Sequence, residues 1–165
     1  MKLEKVTVPC INHQNNNVEA LQFLLHEIYY IFVFKTVKLI QITKEVVIDF
    51  IRKNEIELKS SHAKLCLPII NRLYKKMSTG IKFSSIKVAD GLIIDGHHRY
   101  LASLLANFEL ETVISSRTSA IALSDWILID YVEEDWDTQA KIKMLNEEDA
   151  KYNEVSIEKI VELLK

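Results

Sequence analysis

The sequence predicts a mixed α+β fold in which a small sheet is flanked by helices, with helical additions at both ends. Two short predicted strands, residues 83–88 and 92–94, flank Asp90-Gly91, a dipeptide typical of tight turns between strands. Segments with apolar residues at helical spacing surround this strand pair. Only 3 Gly and 2 Pro occur in 165 residues, which favours long helices over many hairpins.

Composition and charge are typical of a globular chain. Charged residues make up 27% and hydrophobic residues 48%, and the length predicts one compact domain overall. The net charge is −2, but residues 1–100 carry 15 Lys/Arg against 9 Asp/Glu, whereas residues 101–165 carry 6 against 14. Either the basic first part faces phosphates, or the two parts pack together and neutralise each other.

The sequence favours a soluble protein of the reducing cytoplasm. Residues 1–5 do not resemble a signal peptide, and the longest apolar run, residues 28–34, is too short to span a bilayer. Cys10 and Cys66 show no CxxC spacing, so neither a disulfide scaffold nor a zinc knuckle is indicated. We therefore expect no membrane partner.

Residues 1–55 predict a helical N-terminal extension packed on the core. Residues 3–11 alternate as in a short strand, and the spacing in 18–35 is helical, although its β-branched and aromatic end also fits a strand. Thr43 is placed to cap a further helix. The apolar face of that helix comprises Val46, Val47, Phe50 and Ile51.

The middle of the chain predicts a helix, two strands and a second helix. Ser60 or Ser61 can cap the first helix, which Gly80 ends. Pro68 belongs in its first turn, or else the helix begins nearer Cys66. The apolar residues of this helix are Leu65, Ile69, Ile70, Leu73 and Met77. The strands at 83–88 and 92–94 follow, and the second helix runs over residues 95–108.

The C-terminal part predicts a strand at 126–129, an acidic run at 130–137 and two helices. The acidic run is either a solvated loop in which Asp135 or Asp137 caps the next helix, or a source of metal ligands or of phosphate mimicry. Ser156 caps the last helix, residues 157–164, whose apolar face suits docking on the core, a second copy or a partner protein.

Residues 93–100, Ile-Ile-Asp-Gly-His-His-Arg-Tyr, form the candidate functional motif. A buried strand leads through a Gly turn into a helix that begins with His97, His98 and Arg99. A helix start favours anions through its free N–H groups, and a guanidinium matches phosphate oxygens. Gly96, His97, His98 and Arg99 are therefore predicted to bind phosphate. The alternative is that Asp95 caps the helix and the basic side chains face solvent.

The motif and the segment before it, LKSSHAKLCLPIINRLYKKMSTGIKFSSIKVADGLIIDGHHRYLASL, resemble the ParB/sulfiredoxin superfamily core. In that family a helix precedes a strand pair, and the second strand ends in a Gly-x-His/Arg-Arg turn before a helix. The resemblance covers residues 56–132, so that residues 1–55 and 133–165 lie outside it. It implies a ParB/sulfiredoxin-like core and phosphate chemistry.

The branches of this family imply different activities. Sulfiredoxins carry a catalytic Cys where this chain has His97, so sulfinic acid reduction is excluded because the turn holds no thiolate. Partition-type ParB proteins bind a nucleoside triphosphate on a Gly-Glu-Arg-Arg turn and continue into a helix-turn-helix domain. His97-His98-Arg99 and the short remainder of the chain depart from that pattern.

The Asp-Gly-His-His-Arg form looks closer to ParB-like nucleases and to nucleotide-dependent kinases of free serine. For a nuclease-like phosphodiester hydrolysis of DNA or other nucleic acid, Asp95 would ligate Mg²⁺ or another divalent ion. His97 or His98 would activate water or protonate the leaving oxygen, and Arg99 would stabilise the transition state.

Two alternatives stay open. In the kinase branch a nucleotide such as ATP, ADP or CTP is bound, and a Glu before the preceding helix is the base. The corresponding stretch here offers His62 instead, and a neutral imidazole can serve as a base near pH 7. The other alternative is a non-catalytic module that binds a nucleotide or a partner protein, with a homodimer or partner formed through the terminal helices.

Overall fold

A computed structural model describes residues 40–116 and 123–165. Within these ranges the fold is mixed α+β with small sheets and flanking helices, which confirms the predicted class. The predicted strand at 3–11 and helix at 18–35 lie outside the described residues. The elements are α1 (Lys44–Lys53), β1 (Lys64–Cys66), α2 (Leu67–Ser78), β2 (Ile86–Ala89), β3 (Leu92–Asp95), α3 (His97–Leu105), β4 (Thr112–Ile114), β5 (Asp130–Val132), α4 (Gln139–Tyr152) and α5 (Ile157–Leu163).

The strands form two small sheets. In the first, the strand order is β3-β2-β4, with β2 antiparallel to β3 and parallel to β4. Asp90 and Gly91 join β2 to β3 with φ of +51° and +73°, as the predicted tight turn requires. In the second sheet, β1 pairs in parallel with β5. Among the described helices, none combines the length and the apolar character needed to cross a membrane.

The predicted helix with a Ser cap was wrong at its beginning. Residues 64–66 form β1 because they pair with residues 130–132, so Leu65 lies in a strand. Cys66 is the N-cap residue of α2, and Pro68 lies in its first turn, which confirms the alternative start. Ser60 and Ser61 instead lie in the preceding segment, where the Ser60 hydroxyl bonds the backbone of His62.

Three further predicted boundaries were wrong. The strand at 83–88 begins only at Ile86, and α3 spans His97–Leu105 rather than residues 95–108. The predicted strand at 126–129 is a short 3-10 turn, Trp126–Leu128, which precedes β5. Trp126 and Ile129 are buried in the core, but within the described residues the segment does not pair with another strand.

Helix α1 packs on the core, and it is the part of the predicted N-terminal extension that lies within the described residues. Thr43 caps α1 by accepting a hydrogen bond from the Val46 N–H. Val47 is fully buried in the main hydrophobic cluster, whereas Lys44 and Arg52 are exposed. The amphipathic spacing therefore identified the buried face of α1 correctly.

The buried side chains form two clusters. The main cluster lies among α1, α2, α3 and β1 and includes Leu65, Ile70 and Leu101. A smaller cluster joins Ile81 to α4 and α5 through Ala150 and Ile160. Phe83 packs against both clusters. The C-terminal helices α4 and α5, predicted from their periodicity and from Ser156, are therefore packed on the loop that precedes β2.

Candidate functional site

The candidate site is built on the turn between β3 and α3. Gly96 is the N-cap residue of α3 and has φ of +94°, a left-handed conformation that other residues adopt at a cost. A Cβ atom at this position would lie 2.5 Å from Cγ2 of Ile86. Asp95 ends β3 and makes no cap bond, so the alternative that it caps the helix was wrong. Gly is required here for both backbone conformation and space.

His97 is buried beneath the turn and holds the segment before β1. Its Nε2 accepts a hydrogen bond from the backbone N–H of Ser61 at 3.2 Å and lies 2.8 Å from the Ser61 Oγ. Burial, aided by the neighbouring imidazoles of His62 and His98, lowers the pKa of His97 from 6.5 to about 4. Its ring is therefore neutral at pH 7, and since Nε2 accepts the Ser61 N–H, the ring proton is placed on Nδ1.

His98 makes a similar contact one residue later. Its Nε2 accepts a hydrogen bond from the Cys66 N–H at 2.9 Å, at the start of α2. Its ring also packs edge-on against Trp136, with 5.7 Å between ring centroids. Burial, with a further contribution from His62, lowers the pKa of His98 to about 4. Because both Nε2 atoms accept main-chain hydrogen bonds, neither ring offers a free base, and among the described residues the Nδ1–H of His98 has no acceptor.

Most hydrogen-bond donors of the Arg99 guanidinium are already bonded to other residues of the protein. Its Nη1 donates to the carbonyl and hydroxyl oxygens of Ser84, at 2.7 and 2.6 Å, and to the Ser85 carbonyl. Its Nη2 lies 3.1 Å from an Asp95 carboxylate oxygen. The guanidinium thus ties α3 to the loop before β2, in which Ser84 and Ser85 lie. Among the described residues, its Nε–H has no acceptor.

His62 is brought to the same turn. Its exposed ring stacks on the ring of His97, with 3.8 Å between centroids and 11° between planes. Within the described ranges, neither ring nitrogen of His62 makes a hydrogen bond. The sequence-predicted set of Asp95, Gly96, His97, His98, Arg99 and His62 is therefore assembled in one place. Of the three imidazoles, His62 is the one whose nitrogens are both available in the described structure.

A cavity of about 540 Å³ lies against this turn. All six predicted site residues line it. One face of α2 forms a wall through Ile69, Arg72, Leu73 and Lys76. The facing wall is α4, through Lys141, Ile142, Leu145, Asn146, Glu148 and Asp149. Its volume falls within the range of small-molecule binding sites. Because α4 lies outside the resembling segment, the sequence did not indicate that it contributes to this site.

The first turn of α3 supplies donors to the cavity. In the part of the chain that the structure describes, no protein acceptor pairs with the N–H groups of His97, His98 and Arg99. These groups are at the positive end of the helix dipole. The turn therefore presents backbone N–H donors without acceptors among the described residues beside two neutral imidazoles.

The acidic run contributes ion pairs to the cavity wall. Asp137 is buried, with one carboxylate oxygen 2.7 Å from Nη2 of Arg72 and the other 2.6 Å from Nζ of Lys141. Arg72 also binds Asp135 and lowers the pKa of that carboxyl group. Thr138 caps α4. The prediction that Asp135 or Asp137 caps this helix was therefore wrong, because both carboxylates bind Arg72.

The residues of the turn do not form a metal centre by themselves. Among the described residues, no three His, Cys, Asp or Glu side chains converge as a metal-binding group. Asp95 is the one carboxylate at the turn itself, and it is paired with Arg99. This donor set does not fit a divalent ion held by the protein alone, which takes several oxygen ligands.

Comparisons of this chain with protein-family models, with curated proteins and with solved structures gave no match.

Proposed function

We propose that this protein binds a phosphate ester at the first turn of α3 and catalyses nuclease-like phosphodiester hydrolysis, as a ParB/sulfiredoxin-like domain. The observation that carries the proposal is the cavity of about 540 Å³, which is lined by both the first turn of α3 and the free imidazole of His62. A cavity of this size suits one or two nucleotides rather than a duplex. The proposed substrate is therefore a single-stranded end or a short phosphodiester.

In this proposal the backbone N–H groups of residues 97–99 and the Nδ1–H of His98 hold the phosphate oxygens. His62 takes a proton from water, the water oxygen forms a bond to phosphorus, and the ester P–O bond breaks. The leaving oxygen takes a proton from solvent. Arg99 positions the turn through Ser84 and Ser85 and leaves its Nε–H for the phosphate. A divalent ion brought by the substrate would meet Asp95 in competition with Arg99.

The experiment measures hydrolysis of bis(p-nitrophenyl) phosphate and of single-stranded oligonucleotides, with and without Mg²⁺. We expect turnover by the wild type and a decrease in kcat of about 10²-fold or more in His62→Gln, because a general base is lost. Lys64→Ala is the matched control, since Lys64 is exposed and does not line the cavity. Absence of turnover in the wild type, or equal rates in His62→Gln and wild type, would refute the catalytic role.

A second candidate function is phosphoryl transfer from a nucleotide to a small hydroxylated molecule such as free serine. The position of His62 favours this candidate. In the kinase branch the base lies in the stretch that corresponds to residues 59–63, and here His62 of that stretch lies against the first turn of α3. Consumption of ATP or ADP only when serine is added would support this candidate. Nucleotide binding without either reaction would leave a non-catalytic binding module.

A further inference from the structure

Part of the cavity wall is apolar and is not used in the protein core. Ile69 of α2 and Ile142 and Leu145 of α4 line the cavity and are half-buried. None of the three belongs to either hydrophobic cluster, within the residues that the structure describes. These side chains therefore present apolar surface to the space beside the phosphate turn.

A buried amide lies on the same wall. Asn146 is 5% exposed, and its Oδ1 accepts a hydrogen bond from Nζ of Lys76 at 2.7 Å. Because an ammonium group only donates, this contact fixes the orientation of the amide and leaves Nδ2 as the free donor. In the described ranges Nδ2 has no acceptor, and it is not enclosed by protein. Asn146 thus offers N–H groups to an acceptor inside the cavity.

We propose that the space between α2 and α4 binds the organic group of the phosphate ester, and that this group is an apolar ring with a hydrogen-bond acceptor for Asn146. The ring packs on Ile142 and Leu145 while the phosphate occupies the α3 turn. A nucleobase has this chemistry, and so has another substituted ring. This inference rests on the proposed function, because it uses the same phosphate site.

The balance of charge in the cavity supports recognition of the organic group. Each Lys or Arg that lines the cavity has a carboxylate partner: Arg72 with Asp137, Lys76 with Asp149, Lys141 with Asp137, and Arg99 with Asp95. The cavity therefore lacks the excess of cations that would bind a bare phosphate strongly. Contacts with an attached ring would supply the remaining affinity and the selectivity.

The experiment compares, by titration calorimetry, inorganic phosphate, phenyl phosphate and the four common nucleoside 5′-monophosphates. We expect phenyl phosphate to bind more tightly than inorganic phosphate, and at least one nucleotide to bind more tightly than both. Leu145→Ala should weaken binding of both esters about fivefold, because apolar contact area is lost, and leave inorganic phosphate unchanged. Met144→Ala is the matched control, since Met144 is 47% exposed on α4 and does not line the cavity.

Asn146→Asp tests the donor. This variant keeps an acceptor for Lys76 and removes the Nδ2–H groups, so we expect about a fivefold loss for the nucleotide relative to phenyl phosphate. The change in affinity for inorganic phosphate in the same variant measures the effect of the added negative charge. Circular dichroism checks folding, and Ile142→Ala replaces Leu145→Ala should the latter fail to fold.

The outcomes separate the two proposals. If phosphate binds but neither ester binds more tightly, the ring site is wrong and the phosphate site stands. Equal effects of Leu145→Ala and Met144→Ala on the esters would also overturn the ring site. If inorganic phosphate, phenyl phosphate and the nucleotides all fail to bind the wild type, both proposals are overturned.

Discussion

At the scale of single residues, the two consecutive imidazoles of the motif act on different neighbours. Adjacent helical positions point about 100° apart, and accordingly His97 bonds Ser61 whereas His98 bonds Cys66. The motif could be found from the sequence because Gly, His and Arg at a helix start form a local pattern. These two hydrogen bonds could not, because Ser61 and Cys66 are distant in sequence and the bonds depend on the tertiary fold.

The lowered pKa values of His97 and His98 predict that stability falls in acid. Both groups have a pKa of about 4 in the folded protein, against 6.5 ordinarily. The unfolded chain therefore binds more protons between these values. The stabilisation is complete above pH 6.5 and is lost as the pH falls towards 4. Urea unfolding measured from pH 7 to pH 4.5 should show a steadily decreasing free energy of unfolding.

The variant His98→Gln separates the contribution of His98 to the pH dependence of stability from the contributions of other titrating groups. The Gln side-chain oxygen can accept the Cys66 N–H in place of Nε2 but does not titrate. We expect a shallower pH dependence of stability in this variant than in the wild type. Identical slopes for the two proteins would contradict the assignment of His98 as a buried neutral group.

Gly96→Ala should destabilise the fold by about 3 kcal/mol, from the left-handed backbone and the contact with Ile86 combined. Gly80→Ala is the matched control, since Gly80 has a similar φ of +84° but open space around the position. Its cost should be about 1 kcal/mol. Urea unfolding measures both, and equal losses would show that the space next to Ile86 is not limiting.

At the scale of elements, α4 faces α2 across the cavity and is attached to it by polar contacts. Lys76 of α2 is buried and binds both Asn146 and Asp149 of α4. The periodicity of α2 and α4 predicted that they are helices. The contact between α2 and α4 through Lys76 was not predicted, because a Lys in a helix normally lies on the solvated face.

Lys76→Ala should lower the free energy of unfolding by about 3 kcal/mol, because removal of one partner leaves a carboxylate and an amide without their buried cation. Lys143→Ala is the control within α4. The Lys143–Glu147 pair is exposed and 3.9 Å apart, so its loss should cost less than about 0.5 kcal/mol. Equal effects in thermal or urea unfolding would show that the Lys76 contacts do not hold α4.

At the scale of the whole molecule, the fold class followed from local patterns, whereas strand boundaries depended on pairing. Turn chemistry at Asp90-Gly91 and the caps Thr43 and Ser156 are local, and these predictions were confirmed. Residues 64–66 became a strand only because residues 130–132 lie beside them. Such long-range pairing cannot be predicted from the sequence of a three-residue segment alone.

The smaller cluster predicts that the C-terminal helices contribute to global stability. Ile160 of α5 is fully buried with Ile81 and Ala150. Ile160→Ala should cost about 3 kcal/mol, and Val161→Ala, at a side chain 43% exposed, less than about 1 kcal/mol. The unfolding midpoints measured by tryptophan fluorescence, to which the buried Trp126 contributes, and by far-UV circular dichroism should shift together. A shift in circular dichroism alone would mean that α5 unfolds separately from the main cluster.

Phe83 touches both hydrophobic clusters and also lines the cavity. A molecule that fills the cavity would therefore contact a residue that packs against both clusters. Occupancy would be linked to the docking of α4 and α5, since a ligand that binds the docked form favours it by mass action. Slower amide hydrogen exchange in α5, which does not line the cavity, would be the remote sign of an occupied site.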